Sequence, residues 1–451
     1  MKAKHSEHPF LSKPHWTLLA LSLPSLFSLI AEPVTGLVDT AFVARLGAVE
    51  LAALGVGSAV LSSVFWVFNF LGIGAQTEVA QKLGQEKREA AIKVTSLALL
   101  LSVIFGLGLL GVGYPIAKTV AGLLGAEGAV LSNAAVYIQI RLFAAPAVLI
   151  TLTGFGVLRG MQDMKTPLWI ATGINVLNVV LDAPFIFGFG VIPALGVAGS
   201  AWATAISQYL GAIWILWAIQ RELGYTGNFR PGDAFNLIKV GGDLFIRTGS
   251  LTAFLLLATR VATQIGVESG AAHQGIRQIW FFTALTMEAF AITAQSLVGY
   301  FLGAKNIPQA RQVASYCALW SFGTGLALSA AMFLSTQLVI DVFIPESAVA
   351  IFVPAWIIAS LSQPLNALAF VTDGIHWGTG DYRYLRNGMI TATALGATAL
   401  LMIDTTAANA FLWVWVTTVI WIVIRSIFGI LRVWPAVGKA PLKIVHTPIG
   451  I

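Results

Sequence analysis

Three carboxylic acids stand inside long apolar runs in the first half of this 451-residue chain: Glu32, Asp39 and Asp182. Asp182 follows Asn178 by four residues and Asn175 by seven, so on a helix the three share a face and form a polar strip. No lysine or arginine is close to them in sequence, and Arg141 is the only basic residue embedded in that half. A charge at the centre of a bilayer costs at least about 2.5–3.5 kcal/mol on insertion scales, so each such group needs a partner, a wet cavity or a role. The chemistry open to Asp39 and Asp182 is reversible binding of a small cation. A buried carboxylate that takes up a proton sheds the charge that makes its burial costly. Carboxylate, amide and hydroxyl oxygens are also the ligands a hard cation such as sodium prefers. The competing reading is hydrogen bonding between helices that only pins the bundle. Glu32 precedes Pro33 and could serve that local break instead. Pro24 and Pro33 each remove a backbone donor inside the same apolar segment as Asp39, which invites a kink there.

The second half embeds a different set: Arg247, Arg260, His273, Arg277, Glu288 and Asp373. Asp243 and Arg247 are spaced for a pair on one helix, as are His273 and Arg277. These charges either neutralise one another across a bundle or act on a ligand. In the second case Arg260 or Arg277 would face an anionic group, and Glu288 and Asp373 would join a proton path.

The elements that hold these residues follow from composition. The chain is 57% hydrophobic and only 10% charged, with mean hydropathy +0.83, whereas soluble domains carry roughly 25% charged residues. Apolar segments are expected at 16–44, 48–81, 90–121, 129–160, 166–190 and 196–220, then at 238–266, 269–303, 308–340, 346–378, 382–404 and 408–434. Each is at least as long as the roughly 20 residues needed to cross a bilayer core as a helix. None alternates as a barrel strand would. Lys and Arg gather at every second connection, from Lys13 through Lys82–Lys93, Arg159–Lys165, Arg221–Lys239, Lys305–Arg311 and Arg383–Arg386 to Arg432–Lys443. The opposite ends carry little basic charge beyond Arg45 and Lys118 and hold Glu50, Glu127, Glu268, Asp341, Glu346 and Asp404 instead. This bias predicts a multi-pass inner (cytoplasmic) membrane protein with both termini cytoplasmic. The +6 charge is scattered in short loops without a basic face, which excludes a nucleic-acid partner and fits the lipid bilayer surface. The single cysteine, Cys317, excludes an internal disulfide and a CxxC metal site. No phosphate-binding loop, HExxH or supported Ser-His-Asp set occurs, so neither an enzyme nor an ATP-driven pump is expected, and no metal cofactor.

The chain also repeats itself. At a shift of 219, Ala75-Gln76 meets Ala294-Gln295 and Gly47 meets Gly266; at 218, Gly156, Gly160 and Asp163 meet Gly374, Gly378 and Asp381. The expected fold is therefore all-α, with twelve transmembrane helices in two six-helix lobes related by a parallel repeat about an axis along the membrane normal. The parts are a cytoplasmic N-terminal segment (1–15), a first lobe (16–220), a linker (221–237) rich in glycine with Pro231, a second lobe (238–434) and a cytoplasmic tail (435–451).

Specific motifs carry a resemblance. Gly36-Leu37-Val38-Asp39-Thr40, Gly156-Val157-Leu158-Arg159-Gly160 to Pro167, Asn178-Val179-Val180-Leu181-Asp182 and Gly196-Val197-Ala198-Gly199-Ser200 occur in order. Together they resemble the multidrug and toxic compound extrusion (MATE) family, and Pro364 to Gly374 resembles its DinF-type branch. The resemblance implies an ion-coupled antiporter with two lobes around a central cleft. It implies that Asp39 is a protonation site, that Asn178 and Asp182 belong to its polar cluster, and that Tyr137 and Ser200 complete it. It implies, too, that Pro24 is the point where the first helix bends on protonation. Relatives coupled to sodium carry second-lobe acids where this chain has Leu251 and Asn366, which points to proton coupling, with sodium at Asp39, Asn178 and Asp182 as the alternative. Substrates implied are small, amphipathic and often cationic organic compounds, exported by a monomer without a cofactor. The rival readings are an organic-anion exporter, a lipid or lipid-linked glycan flippase, and a non-transporting membrane scaffold or receptor. Asp39 aligns with Ala258, so the coupling chemistry is expected in the first lobe.

Overall fold

The protein was analysed as a computed structural model describing residues 8–228 and 231–444, with 231–237 described by their backbone alone. The start of the N-terminal segment, before His8, and Arg230 of the linker lie outside the described residues, as does the end of the tail from 445. The described residues are almost entirely helical, without a named strand. Among the described residues, nine helices are long and apolar enough to cross a membrane, and two bent helix pairs bring the number to eleven. Tyr382–Leu401 is a further twenty-residue helix, long enough to cross despite Arg383 and Arg386 near its start, which makes twelve. Spans 1 to 6 are Pro14–Ala44, Ala48–Gly84, Arg88–Leu123, Gly128–Gly160, Lys165–Phe187 and Val197–Glu222. Spans 7 to 12 are Pro231–Ile265, Val267–Gly303, Ile307–Leu334, Glu346–Thr379, Tyr382–Leu401 and Ala410–Val433.

Two spans expected as continuous are broken. Span 4 bends by 54° between Phe143 and Ala145, and span 10 by 47° between Leu361 and Gln363. Pro146 and Pro364 explain this, since each sits in the first turn after the break, where a missing N–H costs nothing. They stand 218 residues apart, in step with the repeat. A Cβ on Gly106 would lie 2.4 Å from Pro146 Cα, and one on Gly325 2.7 Å from Pro364 Cα, so each half crosses a neighbouring span tightly over its break. Span 2 is also interrupted, after Val67, whereas its counterpart span 8 is one continuous helix.

The repeat is therefore a repeat of contacts. Gly156 lets span 4 approach the Gly72 carbonyl, and Gly374 lets span 10 approach the Ala291 carbonyl; an added Cβ would fall 2.1 and 2.2 Å from those oxygens. Gly160 over Gln76 and Gly378 over Gln295 repeat the crossing one turn later. Small residues at such points let backbones pack closely, the main source of helix association in lipid. We expect Gly156→Ala and Gly374→Ala each to destabilise the protein by roughly 1–3 kcal/mol through overpacking. Thermal unfolding in detergent should show both shifts, and a variant melting like the parent would contradict the close crossing.

The chain forms two compact units of its own. One runs from Leu23 to Gly241; the other joins the residues up to Ser22 with those from Gly242 onward. The boundary falls inside span 1, immediately before Pro24, so the first helix starts in the second-half unit and ends in the first-half one. Within the second-half unit, Leu18 is fully buried and Ser22 Oγ lies 2.9 Å from Thr293 Oγ1. The N-terminal segment is packed at its described end: His8 and Phe10 are buried, and Phe10 packs on Phe301 and Tyr316. The tail folds back as well. Arg311 donates to the carbonyls of Trp434 and Leu442, and Arg432 to those of Val437 and Lys439.

Candidate functional site

Asp39 is half-buried near the end of span 1, and Asp182 is fully buried towards the end of span 5. The two carboxyl groups lie within hydrogen-bonding reach of each other. Asn178, one turn before Asp182, joins them. With its amide turned to satisfy both neighbours, Nδ2 donates to Asp39 Oδ1 at 2.9 Å. Its oxygen faces the Thr204 hydroxyl at 3.1 Å and the Thr204 N–H at 3.2 Å on span 6. Three separate spans thus meet on one amide. Ser200 is fully buried one turn before Thr204, and its carbonyl accepts the Thr204 hydroxyl at 2.9 Å. Ser200 Oγ is enclosed without a hydrogen-bond partner, and both oxygens of Asp182 are enclosed with no donor group bound to them. Arg141, one turn beyond Tyr137 on span 4, is near enough to act electrostatically on both acids.

Tyr137 is buried in the apolar cluster that holds Val43 and Ile186, one turn beyond Asp39 and Asp182, and Ala201, which follows Ser200. Its ring lies against Gly57, where an added Cβ would come within 2.4 Å of Cδ1. Asn175 is half-buried and joins none of these hydrogen bonds, and Glu32 is exposed two turns before Asp39. Pro24 and Pro33 both lie inside the continuous helix of span 1.

The second half arranges its charges differently from the local pairs expected. Asp243 is bound by Arg386 of span 11 at 2.5 Å, and Arg247 turns to Asp373 of span 10. Arg425 of span 12 holds the same Asp373 oxygen at 2.9 Å and stacks over Trp421, its guanidinium 4.5 Å from the ring centre. The reason is distance in space: helix partners at i,i+4 lose to cross-helix partners when both sit in a buried bundle. His273 and Arg277 meet through Thr259, whose Oγ1 accepts Arg277 Nη1 at 2.7 Å and lies 3.3 Å from His273 Nε2. Thr259 follows Ala258, the position that aligns with Asp39. Arg260 is exposed, and Glu288 is half-buried and near enough to act on Arg425. Arg425 and Thr204 were not singled out from sequence. A lone arginine amid the apolar run of span 12 was the available sign for the first; a threonine in a helix offers none.

The geometry can be set beside known proteins. A model of the MatE family matches residues 24–184 and 248–397. The chain belongs to the MatE family. This MatE chain is 31% identical to Protein DETOXIFICATION 44, chloroplastic, of Arabidopsis thaliana, over 97% of its own length and 87% of that protein. It is 26% identical to DNA damage-inducible protein F of Escherichia coli, over 94% and 93% of the two chains. A crystal structure of MATE in the bent conformation superposes with a TM-score of 0.88 at 22% identity, covering 96% of this chain and 98% of that one. The fold is therefore that of a twelve-span MatE protein with two lobes. Membership makes the chain a multi-pass secondary transporter of small organic compounds that needs no cofactor, and not an enzyme.

Proposed function

We propose that this MatE chain is a proton-coupled antiporter exporting amphipathic, often cationic organic compounds, with Asp39 as the coupling acid. The observation that carries this reading is the meeting of Asp39, Asn178 and Asp182. Two carboxyl groups in hydrogen-bonding reach cannot both stay ionised, so they hold together with a proton between them. Uptake of a further proton takes the charge off Asp39 and changes what Asn178 Nδ2 faces. Because Asn178 also engages Thr204, the change passes to span 6 as well as span 1. Pro24 and Pro33 leave span 1 short of backbone hydrogen bonds below Asp39, so bending there is the least costly response. Tyr137 and Ser200 bound the cluster, while Asn175 and Glu32 stand outside its hydrogen bonds on spans 5 and 1. The chain works as a monomer in a cytoplasmic membrane, with both termini on the cytoplasmic side, where the Lys and Arg clusters lie.

Sodium is the second reading, and a specific feature favours it: Asp182 Oδ1 and Oδ2 and Ser200 Oγ are enclosed oxygens without another partner. The two separate cleanly. Purified protein should release protons when a lipophilic cationic dye binds, to the same extent with and without sodium. Release that requires sodium, or dye binding that displaces sodium with no proton, overturns proton coupling.

A further inference from the structure

The Lys/Arg-rich end of spans 5 and 6 carries a groove unrelated to the acid cluster. It encloses about 320 Å³ and is lined by Asp163, Trp169, Trp214, Trp217, Arg221 and Glu222 among others. The tryptophans are 63%, 41% and 57% exposed. Tryptophan at the ends of spans belongs at the level of lipid headgroups, where its ring is apolar and its N–H is wet. Gly173 helps build the wall, because a Cβ there would stand 2.8 Å from Trp214 Cζ3. Arg221 lies over the Trp217 ring at 5.6 Å.

The three charges are left available. Asp163 spends one oxygen on the N–H groups of Lys165 and Thr166 that open span 5, and the other stays free. Arg88 binds the backbone carbonyl of Glu222, not its carboxylate. No ion pair takes up Asp163, Arg221 or Glu222 among the described residues. The matching end of the second half is neutralised internally, since Asp381, the repeat of Asp163, is held by Arg432 at 2.6 Å. Two acids beside one arginine, in a tryptophan-walled groove at the headgroup level, complement a zwitterion that carries a phosphate and an ammonium.

We propose that this groove is a binding site for a phospholipid with a primary-amine headgroup. Arg221 takes the phosphate, Glu222 and the free oxygen of Asp163 take the ammonium hydrogens, and Trp169, Trp214 and Trp217 flank the glycerol esters. A quaternary ammonium offers no N–H to the carboxylates, and an anionic glycerol headgroup meets two acids.

The test is native mass spectrometry of the full chain, released from detergent with equal amounts of phosphatidylethanolamine, phosphatidylcholine and phosphatidylglycerol. Phosphatidylethanolamine adducts should exceed each of the others by about fivefold, the scale of one exposed charge pair. The preference should collapse in Glu222→Gln and in Arg221→Gln. Equal retention of the three lipids by the parent protein overturns the proposal without recourse to variants. So does a preference that survives both substitutions in protein melting at the parent temperature.

Discussion

Asp39→Asn is expected to abolish accumulation of substrate driven by a pH difference in proteoliposomes, while leaving the folded protein intact. The amide is nearly the shape of the acid, and its oxygen can still accept the hydrogen bond that Asn178 Nδ2 gives Asp39 at 2.9 Å. What is lost is the proton. One coupled proton carries about 1.4 kcal/mol per unit of pH difference, enough to sustain a tenfold substrate gradient. The variant should therefore fall from about tenfold accumulation per pH unit to none, with downhill exchange still measurable. Asp182→Asn should weaken coupling too, because Asp182 shares the cluster with Asp39. An Asp39→Asn protein that still concentrates dye against a pH gradient removes Asp39 from the mechanism.

The second large effect belongs to stability. Asp373 is paired with both Arg247 and Arg425, whose side chains are only 10% and 3% exposed. Removing that carboxylate leaves two enclosed guanidinium groups without their hydrogen-bonded counter-charge, with only Glu288 still near Arg425, a change worth about 3–5 kcal/mol in comparable buried pairs. Asp373→Ala should therefore lower the unfolding temperature in detergent well beyond the two glycine variants. Replacing all three residues together, as Asp373→Leu with Arg247→Met and Arg425→Met, should recover much of the loss, because the two arginines and the acid they share are then apolar side chains. If Asp373→Ala melts with the parent, the three-residue clamp is not what holds this half. If Asp373→Asn keeps stability yet loses transport, Asp373 carries ions and not merely the bundle.

The asymmetry between the halves gives these two experiments their separate readouts. The first half places acids together with Arg141 as its nearby cation, which suits reversible protonation. At the position aligned with Asp39 the second half has Ala258, and it surrounds its own buried acid with arginines. A charge held on two sides is fixed, whereas a charge held by an amide and another acid is free to change.

The membrane-spanning fold was legible because lipid enforces it locally. Every backbone group in the bilayer must be satisfied within its own helix, so length and hydropathy alone placed the spans to within a few residues for most ends. The repeat was legible for a related reason: glycines such as Gly156 and Gly374 mark close crossings, and only glycine survives there. The motif around Asp39, Asn178 and Asp182 was readable as a polar face on a helix. The breaks in spans 4 and 10 were legible in principle from Pro146 and Pro364 at the repeat shift.

Side-chain partners were another matter. Spacing along one helix suggested that Arg247 answers Asp243, but Arg386 took Asp243 and Arg247 took Asp373. Nothing local distinguishes these outcomes, because the energy of an ion pair depends on separation and burial across helices far apart in the chain. For the same reason Thr204 and Arg425 entered their networks unannounced, and span 1 divided between two units just before Pro24. Hydropathy acts on each segment alone and can be read from the chain; neutralising a buried charge takes a neighbour, and only the packed bundle supplies it.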